Sequence, residues 1–164
     1  CLAGCGKGLT TEEACKFADD NWVTGEEAVK KDVKVKSVVK VKKATGVFEK
    51  LGVEDEEDED TTTVTAANST YIAALGAEGY EFSTFLGKLY ADYELDSKEL
   101  AKEFDMEGID SKYFEGEGSG HMVFNKEGFL LKEETKMEFS VNYVEGILNI
   151  VGELSVSATV TYNL

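Results

Sequence analysis

The stretch FLLKEETKMEFSVNYVEGILNIVGELSVSATVTYNL, residues 129–164, alternates with period two over most of its length. Phe129, Leu131, Met137, Phe139, Val141 and Tyr143 fall on one side of an extended chain. Lys132, Glu134, Lys136, Glu138, Ser140 and Asn142 fall on the other. After a turn at Val144-Glu145-Gly146, Leu148, Ile150, Leu154, Val156, Ala158, Val160, Tyr162 and Leu164 continue the apolar row opposite Ser155, Ser157, Thr159 and Thr161. Period two with β-branched and aromatic residues is the mark of strands with one wet and one dry face. Strands of about 15 residues would span roughly 50 Å if straight, beyond the usual length, so bending or coiling is expected. Upstream, His121–Asn125 reads as a short strand, and Asn125-Lys126-Glu127-Gly128 as a turn in which Gly128 supplies a positive φ. The fold class predicted is α+β: a curved, half-barrel-like antiparallel meander covered on one face by short helices.

Working outward, residues 31–43 alternate too. Val33, Val35, Val39 and Val41 lie on one face and Lys34, Lys36, Lys40 and Lys42 on the other, with Ser37 on the apolar side and Val38 facing out. The lysine row reads as a solvated strand face that guards a sheet edge. Glu54–Asp60 is seven unbroken acids, read as a solvated loop. Calcium ranks below that reading, because the spaced ligands of a calcium loop are missing. Thr61–Thr65 reads as a strand that Thr70–Leu75 extends or repeats. Phe82, Phe85, Leu86, Leu89, Tyr90 and Tyr93 follow helical spacing and predict an amphipathic helix over the sheet. Capping boxes at Thr10-Thr11-Glu12-Glu13, Thr24-Gly25-Glu26-Glu27 and Asp96-Ser97-Lys98-Glu99 predict three helix starts. The first helix should run to about Asp19 and the last through Leu100 and Phe104. Trp22 is expected to be a packing anchor. Glu115–Gly120 reads as a glycine-rich loop, too acidic and wrongly placed to cradle phosphate. His121 reads as polar surface without a partner.

Composition narrows the partners. The chain has 164 residues, a net charge of -16 and a sequence pI near 4.4, and all of its 17 basic residues are lysine. Phosphate backbones would repel it, so nucleic acid is excluded as a partner. Anionic headgroups would repel it as well, so membrane attachment needs an apolar anchor rather than a basic patch. No run of about 18 apolar residues is present to span a bilayer.

Such an anchor is offered by Leu2-Ala3-Gly4-Cys5 followed by Gly6-Lys7-Gly8. A branched aliphatic residue, two small residues and a cysteine resemble the lipobox of bacterial lipoproteins. The resemblance implies that Cys1–Gly4 is the tail of a signal peptide and that the Cys5 thiol carries the lipid; Cys1 as the modified residue is the other assignment. Residues 1–9 are then signal remnant and tether, and 10–164 a single domain. Cys15 is left as a small buried hydrophobe in Ala14-Cys15-Lys16-Phe17-Ala18. A Cys5–Cys15 disulfide becomes the next idea if lipidation fails. The cysteine spacing is not a zinc pattern, and no metal or cofactor is expected.

Phe124-Asn125-Lys126-Glu127-Gly128-Phe129-Leu130-Leu131-Lys132 and the long final hairpin further resemble the LolA/LppX-like lipoproteins, over the C-terminal third. The resemblance implies a half-open barrel whose apolar concave face, closed by helices, holds acyl chains, on the extracytoplasmic side of a membrane.

A single histidine and no reactive free cysteine leave few nucleophile–base pairs, so a non-catalytic role is read. Phe85, Leu89, Met137, Phe139, Val141, Leu154 and Val156 are the candidates to line a cavity for a lipid or other apolar ligand. Because filled interiors are the norm, the alternative is a closed core in a surface-exposed domain that contacts a cell-envelope protein. Expressed with a complete signal sequence, the protein should partition into detergent in a Triton X-114 phase separation. Cys5→Ser should move it to the aqueous phase; a variant that stays in detergent removes the lipobox reading.

Overall fold

The computed structural model describes residues 7–23, 28–103 and 110–164. Cys1, Cys5, the Thr24–Glu27 capping box and Phe104 therefore lie outside the described residues. In chain order the elements are β1 (Lys7–Leu9), α1 (Thr11–Asn21), β2 (Lys30–Ala44), α2 (Val47–Lys50), β3 (Glu56–Thr65), α3 (Ser69–Ala77), β4 (Glu81–Phe85), β5 (Lys88–Asp96), α4 (Ser97–Glu103), β6 (Phe114–Phe124), β7 (Leu130–Glu145) and β8 (Leu148–Asn163). The strands form one antiparallel sheet in the order β1-β4-β5-β6-β7-β8-β2-β3, open at both ends. The fold is α+β and dominated by the sheet.

The terminal hairpin forms as its alternation predicts. Pairing runs from Lys132↔Thr161 to Glu145↔Leu148, and Gly146 takes the first place of the two-residue loop with φ 61°. The Asn125–Gly128 turn also forms: the Asn125 side chain accepts from the Glu127 and Phe129 N–H groups, and Gly128 has φ 90°. A Cβ at Gly128 would sit 2.8 Å from the Trp22 ring, so glycine serves both the backbone and the packing. Thr10 caps α1 by accepting from Glu13 N. At the start of α4 the Asp96 carboxylate accepts from the Lys98 and Glu99 N–H groups, and the Glu99 carboxylate accepts from the Asp96 N–H.

Register carries one face through the sheet. Rows such as Leu95–Gly118–Met137–Val156–Val41 and Gly116–Phe139–Leu154 cross it on a single side. Met137, Phe139 and Val141 thus share a face with Leu154, Val156, Ala158 and Val160, as expected, and Leu89 lies on that same face. Every helix packs there, in two separate cores. In the first, Ala14, Ala18 and Trp22 meet Ile72 and Leu75 over Phe82, Leu89, Ala91, Met122 and Phe124. In the second, Phe48, Leu100 and Ala101 cover Phe114, Phe139, Val141 and Leu154.

Several expectations are corrected. Residues 82–93 are not a helix but the β4–β5 hairpin, turning at Leu86 (φ 51°) and Gly87 (φ 75°). The helical stripe was a coincidence of spacing: Phe82, Leu89 and Ala91 also satisfy alternation across a hairpin, and long-range pairing with β6 decides between the two periods. Thr70–Leu75 lies in α3 rather than in a strand, because Asn68 caps the Tyr71 N–H at 2.9 Å and so starts a helix. Glu115–Gly120 is not a loop but the body of β6. Gly116, Gly118 and Gly120 all face the helices, where the side chains of Phe139, Met137 and Tyr93 fill the space a Cβ would need. Of the acidic run, Glu56–Asp60 belongs to β3, an edge strand whose exposed residues need no dry face. It pairs with the lysine strand, and Lys36 meets Glu57 at 2.7 Å. It follows that β2 is interior and its lysines guard no edge.

Phe139 is 3% exposed, stacked on Phe114 at 5.5 Å and edge-on to Phe48 at 6.0 Å. Phe139→Ala should therefore cost about 3–5 kcal/mol in urea unfolding, the range for emptying a filled aromatic site. A loss below about 1 kcal/mol would mean that the residue borders open space.

Candidate functional site

The seven residues nominated from sequence do not line one cavity. Leu89 is closed inside the first core, and Phe139, Val141 and Leu154 inside the second. Met137 and Val156 are half-buried at the rim of the second core. Phe85 pairs with Lys88 at the end of the β4–β5 hairpin and lies on the opposite, polar side of the sheet from Leu89. What remains on the helix-covered face is the strip between the two cores. It is lined mainly by Val35, Val39, Ala158, Val160 and Tyr162, with Ser37 and Thr135 among them, all half-buried.

At the border of this strip stands Glu133. It pairs with Met122 on one side and Val160 on the other, in a row of β7 that is otherwise Leu131, Thr135, Met137, Phe139, Val141 and Tyr143. Among the described residues its carboxylate has no hydrogen bond or ion pair. Burial alone pushes its pKa up. Four tyrosines gather near it. Tyr93 lies across Gly120, its ring filling the place where a Cβ would come within 1.8 Å. Tyr80, just after α3, packs on Tyr93 at 4.6 Å between centroids. Tyr71 of α3 meets Phe124 edge-on at 6.1 Å. Tyr162 stands two residues along β8 from Val160, the partner of Glu133. Burial, and after it the neighbouring Tyr93 and Glu133, hold the Tyr80 hydroxyl up at about 12. Burial and then Glu133 also raise Tyr71 and Tyr162.

This cluster was not found from sequence. The signal was a charge at an inward position of the period-two row of β7. The helical spacing of Phe82 to Tyr93 hides the neighbourhood of Tyr93 with Tyr80.

The other face of the sheet is polar and grooved. A depression of about 660 Å³ is lined by Glu94, Glu117, Ser119, Lys136, Ser155 and Ser157. Beside it, His121 is not without a partner, as the sequence had indicated: its Nδ1 lies 2.5 Å from Asp92, and its ring stacks on Tyr90 at 5.5 Å. Among the described residues no three histidines, cysteines or carboxylates converge as metal ligands. Cys15 is half-buried, its thiol donating to the Ser69 carbonyl at 3.4 Å; burial and then Asp19 push its pKa up. No protein-family model, curated protein sequence or solved structure matches the chain.

A carboxyl whose pKa rises on folding holds its proton more tightly in the folded state. Its ionisation therefore removes stability as pH climbs from the ordinary glutamate range, about 4.3, through the raised value. Glu133→Gln should raise the melting temperature at pH 7, and the gain should shrink as pH falls through the raised value and be gone below about 4. Thermal melts of both proteins across pH check this; a gain independent of pH would mean that ionisation of Glu133 is not the cause.

Proposed function

We propose that the chain is the extracytoplasmic domain of a lipoprotein, tethered to a membrane through Cys5, and that it is non-catalytic. On this reading the sheet acts as a half-barrel and carries an apolar ligand, such as a lipid chain, on its helix-covered face. The supporting observation is the division of that face into two closed cores with a half-buried apolar strip between them. In a domain built only to pack, helices spanning the strip would merge the two clusters into one core. Here α1 and α3 stop at one end and α2 and α4 at the other. Among the described residues no helix is long and apolar enough to cross a membrane, and attachment on this reading rests on the lipid.

A second reading, a surface domain that docks on a cell-envelope protein, has its own support. At the tip of the β7–β8 hairpin Ile147 is fully exposed, with Val144 at 60% and Leu148 at 51%. Apolar side chains gathered on a protruding turn are a feature of contact sites.

Native mass spectrometry of protein purified without detergent separates the two readings. Ligand carriage predicts a co-purified lipid-sized adduct, or uptake of one after incubation with lipid vesicles. A bare mass under both conditions overturns carriage and favours the docking domain.

A further inference from the structure

We propose that Glu133 with Tyr71, Tyr80, Tyr93 and Tyr162 binds the head of an amphiphilic organic cation, an amine or quaternary ammonium on a single apolar chain, whose tail lies along the strip of Val35, Val39, Ala158 and Val160. The inference rests on the reading of that strip as a ligand surface and adds the chemistry of the head. A carboxylate half-withdrawn from water with no partner is costly, and an arriving cation removes that cost. Aromatic faces attract ammonium groups through their quadrupoles, most strongly where water is reduced. The tyrosines are held for this: Gly120 has no side chain, so the Tyr93 ring can lie across β6 toward β7, and Tyr80 backs it. Among the described residues none of the four hydroxyls hydrogen-bonds to protein. Glu78, at the end of α3, adds a second negative charge near Tyr71 and Tyr80. A phosphate-bearing head is disfavoured here, since it would meet two carboxylates in a chain of net charge -16 that has no arginine. That argues for a simple cation over a phospholipid.

The test uses three ten-carbon probes below their micelle concentrations: decyltrimethylammonium, decylphosphocholine and 1-decanol. Binding is read by titration calorimetry and by tyrosine fluorescence. The cation should bind the wild-type protein about tenfold more tightly than the other two. Glu133→Gln should abolish that preference while leaving 1-decanol binding in place, and Tyr93→Leu should weaken it severalfold. Glu138→Gln, which makes the same charge change on the opposite face, should leave it intact. Equal binding of all three probes overturns the cation site and leaves the apolar surface standing. So does an equal loss in the two glutamine variants, because it reduces the preference to net charge. If no probe binds, the apolar surface falls and the cation site with it.

Discussion

A continuous antiparallel pairing through β5, β6, β7, β8 and β2, shifted in register only near its ends, is the constraint from which the rest of the structure follows. Residues paired across it share a side, so each strand has to present its apolar row to the same face as its neighbour. Five strands so aligned make a dry surface too wide for the short helices available. The connections that carry α2, α3 and α4 link β2 to β3, β3 to β4 and β5 to β6, and with α1 they reach the ends of that surface rather than its middle. The half-buried strip results from strand length and helix brevity. The irregularities in pairing at Val41/Lys43 and Val123/Phe124 lie near the two ends that the helices cover.

The same constraint accounts for the three inward glycines of β6. A strand in the middle of a sheet has neighbours on both sides, and wherever its own residue is small the neighbours lean across. Phe139 leans from β7 into the second core, and Tyr93 leans from β5 toward the strip. One glycine row thus serves packing at one end and opens the approach to Glu133 at the other.

Much of this was legible where a single periodicity operated. The final hairpin and the valine–lysine strand have one wet face and one dry face, and alternation names both. The capping boxes at Thr10 and Asp96 were legible because their bonds are local. The β4–β5 hairpin was misread because Phe82, Leu89 and Tyr93 satisfy two periods at once, and a partner 35 residues downstream settles the matter (Leu89↔Phe124). The end of β6 was legible at His121–Phe124, but its glycine-rich part, Glu115–Gly120, was missed because glycine has low strand propensity by itself and is favoured there only by the side chains that cover it. Thr61–Thr65 of β3 was legible, but its acidic half was missed because like charges along one strand repel unless a lysine strand lies beside them, a fact about pairing rather than about the run itself. Glu133 was visible as the wrong kind of residue in an apolar row. Its tyrosine neighbours come from α3, the segment that follows it, β5 and β8, which no local pattern connects.

An open sheet has two raw margins, each a template on which another chain could add a strand. At the β1 margin the described strand, Lys7–Leu9, is three residues long and offers little template. Margin β3 is ten residues long and would be the hazard, yet half of it is Glu56-Glu57-Asp58-Glu59-Asp60. Two copies brought together in parallel along this margin would set carboxylate against carboxylate over the acidic half, roughly 17 Å. The lysines of β2 neutralise the run from the inner side and leave its outer side negative. The charge that keeps β3 in place within the molecule therefore also keeps separate molecules apart, and colloidal stability is written into the same residues as strand order.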